Sequence, residues 1–220
     1  AKAAAKNVGV SAHHFTVLQC PMNVHESGAA LIKNTGPDNG STLLDEALRE
    51  GVAVLVNRPL NAMPAQRGGV VRLADVPVPA PEADFETQRQ KVALLEEEYR
   101  KDLAPAVAHS GQGMLPADFF RWADELNRIR TQVQGLEHWE QIETQMIAPH
   151  LNQVLRALSE AFTGTIAEQW ETWRDRYVPE LLALLRTLHR EASERSRLRA
   201  EDLQRTIDPL LPEHRRKATL

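Results

Sequence analysis

A short α/β segment built on parallel strands, followed by a longer and almost wholly helical segment, is the fold class this 220-residue sequence predicts. Three observations carry it. A strand-type run, a helix-type run, a glycine and a continuous apolar run follow one another in the first 75 residues. Alternating prolines then mark a linker over 76–82. From residue 83 to 220 the apolar residues recur at helical spacing.

Ala1-Lys2-Ala3-Ala4-Ala5-Lys6 reads as a helix already in progress, without a capping residue before it. Phe15–Cys20 is strand-like and closes at Pro21. Asn34–Gly40 has the Asn, Gly, Asp and Pro content of an exposed turn region. Ser41 or Thr42 can cap a helix over Leu43–Glu50, with Asp45 completing a partial capping box and Gly51 ending it. Val52–Val56 is then a β-branched, apolar run of the kind buried in a parallel sheet. Strand, crossover helix and strand make a βαβ unit, and Val70–Leu73 is a weak third strand. Two or three parallel strands are not a self-sufficient sheet. Together with the uncapped opening helix and the element that starts at Ala218-Thr219-Leu220, this predicts a fragment of a larger sheet.

Beyond the linker, Asp84 can cap a helix through Phe85, Val92, Leu95 and Tyr99 that ends before Pro105. Pro116 opens the next, with Phe119, Ala123, Leu126, Ile129 and Val133 on one face and Gly135 as its stop. A third carries Trp139, Ile142 and Met146, is interrupted at Pro149 and resumes through Leu151, Val154, Leu155, Leu158 and Phe162. After Gly164, Ile166, Trp170, Trp173 and Tyr177 align on one face. A last long helix carries Val178, Leu181, Leu182, Leu185 and Leu188. These stripes predict a helical bundle core, in which the four tryptophans serve as packing. The mixed charges from Arg190 to Arg205 predict a solvated face.

With 26 basic and 30 acidic side chains and no block of like charge, neither nucleic acid nor an anionic membrane is the expected partner. No apolar run is long enough to span a bilayer. A single cysteine, Cys20, fits a reducing cytoplasm. His13 and His14 diverge and have no third ligand at suitable spacing, so no metal is expected.

Phe15-Thr16-Val17-Leu18-Gln19-Cys20-Pro21-Met22-Asn23 resembles the sixth barrel strand of the aldo/keto reductases. Leu44–Gly51 with Val52-Ala53-Val54-Leu55-Val56-Asn57-Arg58-Pro59-Leu60 resembles the following helix and seventh strand. Order and spacing both match over residues 1–73. The helical segment resembles an insertion found before the last strand in some larger bacterial members.

The resemblance implies a fragment of a (β/α)₈ TIM barrel, with its site at the carboxyl ends of the strands. It implies an NADP(H)-dependent oxidoreductase that interconverts carbonyl and alcohol groups on a small molecule. Carried over by position, Gln19 would hydrogen-bond the nicotinamide carboxamide of NADPH. Asn57 stands where a stacking aromatic ring is common, and Arg58 is placed to meet the cofactor's phosphates. The family's proton-donating Tyr and its partners belong to the first half of the barrel, so no catalytic residue is expected here and the chain alone should be inactive. The alternative function is a non-catalytic helical interaction module, attached to a degenerate barrel, with a protein partner.

Overall fold

A computed structural model describes residues 2–11, 13–63, 70–74, 76–80, 83–107 and 114–210. The chain divides into two compact units. One comprises residues 1–75 with 202–220, the other residues 76–201. The start expected at Ala218–Leu220, and Asp75 and Pro81 of the linker region, lie outside the described residues.

The first unit opens with helix α1 (Lys2–Asn7) and contains strands β1 (Val17–Pro21) and β2 (Ala53–Asn57). Between these strands lie the single turn α2 (Gly28–Leu31) and helix α3 (Leu43–Arg49). The strands pair in parallel, from Val17 opposite Ala53 to Pro21 opposite Asn57. The crossover helix starts where the side chains dictate. Thr42 Oγ1 accepts the Asp45 N–H at 3.2 Å, and Asp45 Oδ2 accepts the Thr42 N–H at 3.1 Å. Gly51, at φ +64°, then reverses the chain into β2.

The barrel is where expectation and structure part. Helix makes up 65% of the described residues, which contain two sheets of two strands each and no barrel. The third strand expected at Val70–Leu73 is β4 (Val71–Arg72), and it runs antiparallel to β3 (Asn61–Ala62) rather than joining the parallel pair. Closing a barrel requires eight tilted strands with a fixed stagger, and one parallel pair supplies neither closure nor a covered second face. Val17 and Leu55 show the consequence, remaining 54% and 55% exposed on one face of the pair.

The second unit has a continuous core. Helix α4 (Phe85–Glu98) is capped by Asp84, whose Oδ1 accepts the Thr87 N–H at 3.0 Å, and it runs on as a π-turn over Tyr99–Leu103. Helix α5 (Trp122–Arg130) follows a separate 3₁₀ turn at Pro116–Asp118. Gly135 stands before α6 (Leu136–Ile142). A Cβ at Gly135 would lie 2.5 Å from Ser196 Oγ and 2.0 Å from an Arg199 nitrogen, so close approach rather than chain reversal demands the glycine.

Pro149 does not interrupt the third helical stretch. α6 passes through a π-turn at Glu143–Ile147 directly into α7 (Ala148–Ala161). The wider turn absorbs the missing N–H and the ring of a proline near the start of α7. The two last stripes are also one helix, α8 (Thr165–Ile207), which continues through Pro179. Its buried face is Trp170, Trp173, Tyr177, Leu181, Leu184, Leu188 and Ala192, in steps of three and four, while Leu182 is exposed.

The charged run is more than a solvated face. Arg195 donates to the carbonyls of Arg130 and Val133 at 3.0 and 2.8 Å, meeting the C-terminal end of α5. Arg130 forms a bidentate pair with Glu191 at 2.8 and 2.6 Å while lying over the Phe85 ring. Ser196 Oγ accepts the Leu136 N–H at 2.9 Å, capping α6 from another helix.

Candidate functional site

In open sheets of parallel strands, ligands bind outside the carboxyl ends, and three sequence-selected residues lie there. Gln19 is opposite Leu55 in the register, two positions before the Pro21–Asn57 pair that ends the sheet. Side chains alternate along a strand, so Val17, Gln19, Leu55 and Asn57 share one face, and Leu18, Cys20, Val54 and Val56 the other. Gln19 is exposed. Asn57 Oδ1 is buried and has no hydrogen-bond partner among the described residues. Arg58 follows at φ +58°, a left-handed conformation costly for a residue with a Cβ.

A second group, which local sequence spacing does not mark, holds this end together. Asn23 Oδ1 accepts the backbone N–H groups of His25 and Glu26, both at 2.9 Å, forming an Asx-type turn after β1. Asn23 Nδ2 donates to Glu26 at 2.8 Å and to the carbonyls of Asn61 and Arg58 at 3.1 and 3.2 Å. Glu26 in turn accepts from Arg58 Nη2 at 2.5 Å and from the Met63 N–H at 3.1 Å. The Asn23 amide, the Met63 N–H and the Arg58 charge hold the Glu26 carboxyl below its usual range, against the opposing effect of desolvation. One carboxylate thus ties the loop after β1 to the loop after β2. Arg58 spends Nη2 on Glu26 and Nη1 on Met63 Sδ, and its buried Nε has no partner among the described residues.

On the opposite face a shallow cleft of about 480 Å³ is lined by Cys20, Pro21, Glu26, Ala29, Ile32 and Leu43 among others. Gln19 does not line it. Cys20 is buried, as a small apolar residue would be. His13 accepts the Phe15 N–H through Nδ1 at 3.2 Å, and no group of His, Cys, Asp and Glu suited to a metal occurs among the described residues.

The chemistry this end offers is amide hydrogen bonding from Gln19 and Asn57, beside a guanidinium already neutralised by Glu26. No protein-family model, no curated protein and no solved structure matches the chain. The aldo/keto reductase resemblance therefore stands on its two sequence motifs alone.

Proposed function

We propose that the βαβ unit is the cofactor side of an NADP(H)-dependent oxidoreductase acting on carbonyl and alcohol groups. The observation that carries this reading is the register: Gln19 and Asn57 share a face near the carboxyl end of a parallel pair, with Arg58 next in sequence. NADPH supplies the hydride when bound. The chain's part is to hold it. The exposed Gln19 amide has both a donor and an acceptor for a carboxamide. Asn57 Oδ1 is a buried acceptor with no partner among the described residues, which a ligand donor would satisfy once the side chain turns outward. Arg58 contributes less than a free arginine, because Glu26 already takes its charge. Cytoplasmic location belongs to the same proposal. Structurally, the statement is narrower: no helix among the described residues is long and apolar enough to cross a membrane.

A helical interaction module is the second reading, favoured by a core of aromatic and aliphatic residues complete within residues 76–201. Saturation-transfer NMR on the 220-residue chain with millimolar NADPH separates the two. The oxidoreductase reading expects saturation of the nicotinamide protons that falls in Gln19→Ala and Asn57→Ala. No transfer to NADPH, or transfer unchanged in both variants, would overturn it and leave the module.

A further inference from the structure

Glu96 is a buried carboxyl at a junction of three helical elements, at 4% exposure. It sits on the apolar stripe of α4, four residues after Val92 and three before Tyr99, both fully buried. Its Oε1 accepts the Tyr177 O–H of α8 at 2.9 Å and the Ala123 N–H of α5 at 3.2 Å, and Oε2 shares that N–H at 3.3 Å. The residue preceding α5, Arg121, provides no side-chain cap. Glu96 therefore caps α5 from across the core, beside a ring stack in which Tyr177 lies 4.4 Å from Trp173 and 5.2 Å from Phe120.

No cation among the described residues balances it. The charged groups on the elements around it are turned elsewhere. On α4, Glu97 pairs with Arg100, and Glu98 with Arg176 of α8. On and before α5, Arg121 engages Asp118 and Glu125, and Arg128 engages Glu125. Arg174 of α8 takes Asp175. Asp124, which Arg89 approaches at 3.6 Å, has the same sign as ionised Glu96 and opposes it. Tyr99 and Tyr177 are the remaining titratable neighbours, and burial pushes both phenols up, so neither ionises near neutrality.

We infer that Glu96 is a proton-operated latch in the helical unit, holding the first turn of α5 against α4 and α8 when protonated and loosening it when ionised. Protonated, the carboxyl keeps an acceptor oxygen for the Ala123 N–H and needs no counterion. Ionised, it places a full charge among three neutral donors and aromatic rings, where hydrogen bonds and the helix N-terminus offset only part of the lost hydration. Burial raises its pKa to about 7, outweighing the lowering by Tyr177, Ala123 and Trp122. The unfolded carboxyl, at 4.5, ionises first. Between these values the folded state binds more protons, so the latch is fully closed below the lower value and is lost as pH rises through the upper one.

The test is a carbon-13 NMR titration of the Glu96 side-chain carboxyl in the 220-residue chain. Amide hydrogen exchange at Ala123–Leu126, corrected for intrinsic pH dependence, is measured alongside. The expected results are a midpoint about 7 and exchange that rises by about tenfold or more from pH ~6 to ~8. Glu96→Gln should show flat corrected exchange. Tyr177→Phe, which removes one donor to the ionised form, should move the midpoint higher. A midpoint in the ordinary carboxylate range overturns the proposal, as does a neutral midpoint with pH-independent exchange in the unmodified chain. Neither of those results requires a variant to fold.

Discussion

Ser196→Ala tests whether the charged end of α8 builds structure or merely faces solvent. The hydroxyl accepts the Leu136 N–H at 2.9 Å, and both residues are buried, at 3% and 7% exposure. Alanine leaves that N–H at the start of α6 without a partner, at a cost of about 1–3 kcal/mol; loss of an N-cap costs roughly 0.5–2 kcal/mol. Alanine is also the better helix former inside α8, which returns roughly 0.5 kcal/mol. Desolvation of the orphaned donor wins, and the net expected loss is about 1 kcal/mol. Arg197→Ala is the control, since Arg197 on the same helix pairs with Glu194 and Glu201 near the surface; its effect should be small beside that of Ser196→Ala. Urea unfolding followed by tryptophan fluorescence isolates the relevant unit, because Trp122, Trp139, Trp170 and Trp173 all fall within residues 76–201. If Ser196→Ala proves as stable as the parent, or no worse than Arg197→Ala, the cross-helix cap contributes nothing.

Tyr99→Phe should stabilise the helical unit by about 1 kcal/mol, because the buried Tyr99 hydroxyl has no partner among the described residues; a loss in urea midpoint would show that the hydroxyl is satisfied. Glu96→Gln should be more stable than the parent by up to about 3 kcal/mol at pH ~8 and equal to it at pH ~4, at about 1.4 kcal/mol per unit of pKa shift, and equal stabilities at the higher pH would count against a raised Glu96 pKa. Glu26→Gln frees Arg58 from its ion pair and should strengthen NADPH binding, whereas Arg58→Ala should weaken it by about 0.5–1.5 kcal/mol, below the range for charged hydrogen bonds because the guanidinium is already paired. Titration with both variants checks the opposite signs. The 220-residue chain, assayed with NADPH and a panel of aldehydes, should give no turnover above a blank.

What the sequence disclosed follows the range over which each interaction acts. Thr42, Asp45 and Gly51 act within three or four residues, and the helix they bound and the parallel strand after it are legible from those residues alone. Gln19 and Asn57 could be brought to one end of the pair because a βαβ crossover leaves few other arrangements. The expected barrel is absent among the described residues, because it came from the resemblance and needed further strands that this parallel pair does not have beside it. Pro149 misled because the rule for a proline in a helix assumes α geometry before it, and a π-turn removes the clash. Glu26 escaped notice for a different reason: its arginine lies 32 positions away and nothing local marks the pair.

Glu96 did leave a signal. It falls at helical spacing between Val92 and Tyr99, inside the stripe that predicts the core, yet a glutamate in a Leu-Glu-Glu-Glu-Tyr run is most simply read as solvated. The same holds for Ser196, four residues beyond the buried Ala192 on the inner face of α8. In both, position on the stripe was a better guide than polarity, because a buried acceptor placed there meets the unpaired N–H groups that a neighbouring helix presents at its first turn. Such a residue joins helices where it bonds outside its own helix, as Glu96 and Ser196 do, whereas the buried Thr187 and Ser193 return their hydroxyls to carbonyls of α8. At Glu96 that joint is a carboxyl, and burial raises its pKa to about 7.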